Sequence, residues 1–146
     1  MPPSSVELFW IAFHQGVRDF RGWDLTEADL RFRVLPRVNF RGAGLQRADL
    51  YGADLCGANL GDADLRSANL EKTNLADAWL AGANLSGATL RSANLAGADL
   101  SHADLTQTKL AGARLAGANV TDARLSETDL DGADLTGVDL EQAILE

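Results

Sequence analysis

From Phe20 to Leu145 every fifth residue of this chain is apolar. The 26 positions hold 23 Leu, two Phe (Phe20 and Phe40) and one Val, Val120. Two residues ahead of each centre the side chain is small: 18 are Ala, three are Thr (Thr73, Thr108, Thr128) and two are Val (Val38, Val138). The residue between them is mostly Asp or Asn, and 11 of the 14 glycines stand two residues after a centre. The unit is A-(D/N)-L-x-G, as in Ala53-Asp54-Leu55-Cys56-Gly57 and Ala83-Asn84-Leu85-Ser86-Gly87. Period five excludes an amphipathic helix, because five steps of about 100° advance the chain by roughly 140° and scatter the leucines over all sides. Small–polar–large predicts instead an extended stretch of three residues with the first and third on one face. The x-G pair that follows has turn chemistry. A chain that turns every five residues with Ala and Leu inward winds into coils around an apolar axis. Stacked coils then hydrogen-bond at the strand spacing of about 4.8 Å.

Ahead of the repeat, Ser4 and Glu7 form a capping-box pattern and Gly16 is a stop signal. Residues 1–16 are therefore expected to form a short helix that lids the open first coil, with Leu8, Phe9, Trp10 and Phe13 as its packing residues. The other use for Phe9, Trp10 and Phe13, a membrane anchor, is set aside because the helix has only about two to three turns. Residues 17–146 make the solenoid. Within it Arg18, Trp23 and Arg33 occupy nominally small inward positions, which predicts an irregular first coil with a bulge or loop over 31–38. A basic binding loop at Arg31–Arg37 competes there with a plainer reading, a coil edge adapting to its cap, and the plainer one is preferred. At the other end the pattern runs to Leu145 with no matching device, so an apolar cross-section and strand edges are expected to be open.

The repeat resembles the pentapeptide-repeat family over about residues 17–146. The resemblance implies an all-β fold, a right-handed quadrilateral parallel β-helix with four pentapeptides per coil. The 26 centres then make about 6.5 coils and a rod roughly 31 Å long. It also implies a short N-terminal helix and, as in members that join through their C-terminal ends, a possible homodimer. Residues 20 apart stack in columns on such a rod. One column reads Asn59, Trp79, Asp99, Asn119, so Trp79 puts a large ring where Asp or Asn is the rule. His102 lies on the same side in a column with Asp62 and Asp122. Trp79, Asp99, His102 and Asp122 are accordingly the candidate protein-binding residues, since exposed Trp is favoured at interaction hot spots. The plainer account is a ring packed over neighbouring columns.

Charge narrows the partner. The chain carries 13 basic and 21 acidic side chains, net −8. Residues 51–146 hold 6 basic and 15 acidic groups, so the acidity belongs to the C-terminal two-thirds. Nucleic acid and anionic membrane both call for a basic patch, so neither is expected as a direct partner. A protein partner of unidentified kind is expected, met by rigid acidic flat faces. The alternative implied by the resemblance is a DNA mimic that binds DNA gyrase or topoisomerase. Nine net charges over about 23 Å of rod are one per roughly 2.6 Å, thinner than the one per roughly 1.7 Å of B-DNA. The chain also lacks the projecting loops of the gyrase-protecting members. Catalysis, metal and cofactors find no support. The Asp/Asn ladder recurs at every coil as the repeat's own polar shell, and one histidine beside two or three carboxylates on a flat wall falls short of a ligand set. His14 sits in the cap. Cys56 is alone, which fits a reducing, cytoplasmic setting, and no apolar run approaches a membrane span.

Overall fold

The computed structural model describes residues 4–146. Its organising feature is a series of parallel bridges between residues twenty apart, such as Asp19–Asn39, Asp54–Asn74 and Trp79–Asp99. Each turn of this β-helix therefore takes up four pentapeptides. The bridging residue is the one before each apolar centre. The centre itself donates its amide to the next turn, as Leu85 does to the Asp104 carbonyl at 2.8 Å.

The corners follow from one conformational rule. The small residue of each unit donates its amide to the preceding centre, for example Ala28 to the Leu25 carbonyl and Ala83 to that of Leu80, both at 3.0 Å. The third residue of each such turn has positive φ at every unit from Gly22 to Gly137, in 11 glycines and 13 other residues. That is the demand of a type II turn. Glycine meets it freely, whereas a residue such as Phe32 (φ 59°) carries about 1–2 kcal/mol of strain. Asp or Asn fixes the corner from the other side. Asp54 Oδ1 accepts the Cys56 amide at 3.0 Å and Asn84 Oδ1 accepts that of Ser86 at 3.0 Å. The 17 Asp and Asn residues that bridge, and Asp139 at the corresponding position of its unit, make this bond. The acidic ladder is thus a structural device.

Inside, the centres from Leu25 to Leu125 and the alanines beside them are buried in one continuous core. Thr73 and Thr108 replace alanine without leaving a hydroxyl unpaired, because each donates across a coil to a carbonyl, of Leu50 at 2.8 Å and of Leu85 at 2.9 Å.

Helix α1 spans Ser5–His14. Ser4 Oγ accepts the Glu7 amide at 3.2 Å and Glu7 Oε2 accepts the Ser4 amide at 2.6 Å, a complete capping box. Phe9 is fully buried, its ring 4.5 Å from Phe20 and 5.8 Å from Phe40. Trp10 and Phe13 pack beside it. Leu8 departs from expectation. It is exposed with Ile11, because α1 turns only one face to the coil and Leu8 lies about 100° round from Phe9.

The expected bulge over 31–38 is absent. Val34 bridges Asp54, and Leu35 and Val38 are buried in register. The misfit side chains leave the core without bending the backbone, because the inward positions of the first turn open onto α1. Arg18 donates to the Phe13 and Val17 carbonyls at 2.9 and 2.8 Å and lies 3.9 Å over the Phe13 ring. Arg33 lies 4.7 Å over Trp10, and Trp23 meets Phe20 edge-on at 5.1 Å.

At the C-terminal end the pentapeptide pattern does not run unbroken to Leu145. Leu140–Gln142 form a 3-10 turn capped by Asp139, after which Ile144 regains the bridge to Arg124. Here the Gln142 amide turns back to the Asp139 carbonyl at 3.4 Å, whereas its counterpart in the middle of the rod, that of Gly82, bonds across to the Ser101 carbonyl of the next coil at 2.9 Å. Leu130, Leu135 and Leu140 are only half-buried and Leu145 is exposed.

Several ladder carboxyls are held below the ordinary aspartate value by the donor two residues on. Arg21 does this to Asp19, Thr26 to Asp24, Arg66 to Asp64 and Thr136 to Asp134. Asp29, paired with Arg31 at 2.8 Å, falls to about 2. A carboxyl lowered on folding adds stability that is whole above its unfolded value of 3.8 and drains away as pH falls toward 2. Wild type is therefore expected to exceed Asp29→Asn in urea midpoint at pH 7, by a margin that closes between about pH 4 and pH 2. A margin independent of pH would contradict this account.

Candidate protein-binding wall around Trp79

Trp79 breaks the corner rule. Along its column Asn59, Asp99 and Asn119 accept the amides of Gly61, Ser101 and Thr121, each at 3.0 Å. An indole has no acceptor, so the Ala81 amide lacks this partner and the ring stands 63 % exposed. The backbone does not yield. Trp79 keeps its bridges to Asn59 and Asp99.

Beside the ring the wall is low, since Gly61, Ala81 and Gly82 carry little or no side chain. They floor an open recess of about 510 Å³ edged by Arg41, Asn59, Asp62, Trp79, Asp99 and His102. Arg41 Nη2 pairs with Asp62 Oδ2 at 3.3 Å across one coil. His102 Nδ1 stands 3.7 Å from Asp122 Oδ2, both side chains exposed. Three of the four residues expected here, Trp79, Asp99 and His102, thus edge one recess. The fourth, Asp122, joins it through His102. Three carboxylates against one arginine leave the neighbourhood acidic.

Two other surfaces stand out on the rod. A recess of about 420 Å³ around Gln46, Arg47, Arg66 and Ser86 is polar, but its cations are closed by the chain itself. Arg47 pairs with Glu27 at 2.8 Å and Arg66 with Asp64 at 2.7 Å. The second surface lies in Arg31–Arg37, where a basic binding loop was considered but an apolar patch was not foreseen. Phe32 and Val34 are 68 % and 66 % exposed, and Phe32 meets Tyr51 edge-on at 5.5 Å. The signal was present, because Phe32 stands at a glycine position and Val34 at an Asp/Asn position. The expectation of a bulge hid it. Among the described residues no group of three His, Cys, Asp or Glu side chains is placed to hold a metal ion. Cys56 is half-buried and no helix there is long and apolar enough to cross a membrane.

A family model for pentapeptide repeats matches in eight copies over residues 24–62, 45–78, 68–107 and 108–146. The chain belongs to the pentapeptide-repeat family. Among solved structures it is similar to a pentapeptide-repeat protein of the Arabidopsis thaliana thylakoid lumen, with 38 % identity over 62 % of this chain and a TM-score of 0.61. The match takes in 63 % of that protein, so less than two-thirds of its length is represented. Trypsin-treated R167E QnrB1, a plasmid-mediated fluoroquinolone resistance protein, matches at 21 % identity over 82 % of this chain and 78 % of its own, with a TM-score of 0.50. That likeness is one of fold. HetL, a pentapeptide-repeat protein involved in heterocyst differentiation regulation in the cyanobacterium Nostoc, matches at 28 % identity over 95 % of both chains, with a TM-score of 0.36. A comparison with curated protein sequences found no match.

Proposed function

We propose that this protein is a non-enzymatic interaction or scaffolding module, a right-handed quadrilateral rod of about 6.5 coils that binds a protein partner on the wall carrying Trp79. The carrying observation is the 63 % exposed indole at a ladder position, held on an unbent backbone beside a recess. A ring kept in water at the expense of a corner hydrogen bond calls for a use, and a rigid sheet wall positions it without loss of loop entropy on binding. The lone Cys56 supports a cytoplasmic setting for this activity. Mimicry of DNA has less behind it, because Arg41, Arg47 and Arg66 neutralise acids along the rod.

The test is affinity capture from host lysate, followed by binding of the identified partner to purified wild type, Trp79→Ala and Trp79→Asn. The asparagine variant restores the ladder residue of Asn59 and Asn119, so it is expected to fold at least as well as wild type. Both variants are expected to lose about 2 kcal/mol or more, roughly 30-fold in Kd, as at interface hot spots. Unchanged affinity in Trp79→Asn would remove this wall from the reading.

A further inference from the structure

We infer that the recess at Trp79 takes an arginine side chain from an extended basic segment of the partner, with the guanidinium laid on the indole and paired with Asp99. The inference rests on the interaction reading above and names the chemistry of its partner.

The chain supplies the pattern for this itself. Three times an arginine two residues after a ladder aspartate closes on it with two parallel bonds. Nε and Nη2 of Arg21 reach Asp19 at 2.9 and 2.8 Å, those of Arg31 reach Asp29 at 2.9 and 2.8 Å, and those of Arg66 reach Asp64 at 2.8 and 2.7 Å. Twice an arginine lies over a ring, Arg18 on Phe13 and Arg33 on Trp10. At the Trp79 wall the ring and the carboxylate are both present, and an arginine two residues after either is missing. The positions two after Trp79 and Asp99 are Ala81 and Ser101, too short to reach back. Asp99 Oδ1 holds the Ser101 amide at 3.0 Å and Asn119 Nδ2 at 3.4 Å, while Oδ2 takes no hydrogen bond from the described residues.

The geometry suits one guanidinium. Trp79 and Asp99 are bridge partners, so ring and carboxylate rise one rung apart, about 4.8 Å. That is within the span of a planar cation stacked on an indole and forked to a carboxylate. The low floor at Gly61, Ala81 and Gly82 leaves room for the segment that carries it. Asp62, Asp99 and Asp122 outnumber Arg41, which attracts a basic strand and repels an acidic one.

The probe is acetyl-Ala-Arg-Ala-amide titrated into nitrogen-15-labelled protein, followed by the Trp79 indole and the Ala81 and Ser101 amides. Peptides with citrulline or glutamate in place of arginine run alongside. Saturable shifts confined to this wall are expected with arginine, with Kd on the order of 1 mM for so small a ligand. Citrulline, equal in shape but uncharged, should bind at least about fivefold more weakly, and glutamate should give no shift. Asp99→Asn keeps the Oδ1 acceptor for Ser101 and hence the corner, yet should raise Kd about five- to tenfold. Trp79→Asn should abolish the shifts at Ala81 and Ser101. Equal binding of arginine and citrulline, indifference to Asp99→Asn, or shifts centred elsewhere would overturn the inference. If these occur while the natural partner still depends on Trp79, the interaction reading stands and the arginine assignment alone fails.

Discussion

Ala83→Leu is expected to lower the melting temperature by about 3–10 °C, the equivalent of roughly 1–3 kcal/mol of overpacking. Ala83 is fully buried, and its column neighbours Ala63 and Ala103 are buried one rung below and above. Bridges Asp64–Asn84 and Asn84–Asp104 hold the flanking backbones in register, so the coils cannot part locally to admit a larger side chain. The chain marks the limit itself. Thr73, Thr108 and Val38 are tolerated at this inward position, fully or almost fully buried. Larger groups, Arg18, Trp23 and Arg33, occur only in the first turn, where the interior meets α1. Ala143→Leu, at the half-buried last unit, supplies the control and is expected to change the melt little. Equal shifts in the two variants would refute a tightly filled axis.

Phe9→Ala should act at the opposite end and be read differently. Truncating a fully buried phenylalanine costs about 3–5 kcal/mol. Here the ring contacts Phe20, Phe40, Trp10 and Phe13 at centroid distances of 4.5, 5.8, 4.8 and 5.9 Å. In a solenoid each coil is supported by its neighbours, so loss of the lid should fray the first coil before it unfolds the rod. Hydrogen exchange is the measurement. The amides of Phe20, Leu25 and Leu30, bonded to the Asn39, Gly44 and Asp49 carbonyls, should lose protection. That of Leu85, in the rod's middle, should keep it. Uniform loss at all four would mean that the rod unfolds as a single unit. Unchanged protection at the first three would mean that α1 is not a lid.

Legibility in this sequence followed the repetition. The centres from Leu25 to Leu125, the alanines beside them and the corners at Gly52 or Gly87 could be placed because one local solution recurs. A repeated error would have broken every coil at once. Arg31–Arg37 misled because residue size was judged against a filled coil, when the first turn faces α1 instead. Leu8 misled because helix composition does not say which face is covered. Trp79 was legible as an exception, yet its recess was not, since that depends on Gly61, Ala81 and Gly82 standing beside it.

The sequence by itself determined the five-residue unit, its inward Ala and Leu, its turns and its capped helix, because each depends on neighbours within five residues. The columns of residues twenty apart followed from the repeat with the resemblance, and tertiary structure alone decided which of their members meet. It joined Trp79 to Asp99, Arg41 to Asp62 and His102 to Asp122. It turned Arg18 and Arg33 onto aromatic rings and closed the last unit with a 3-10 turn. The physical reason is that the period of the coil is set by hydrogen bonds between turns. Ladder partners, surface columns and end effects exist only once those bonds have formed.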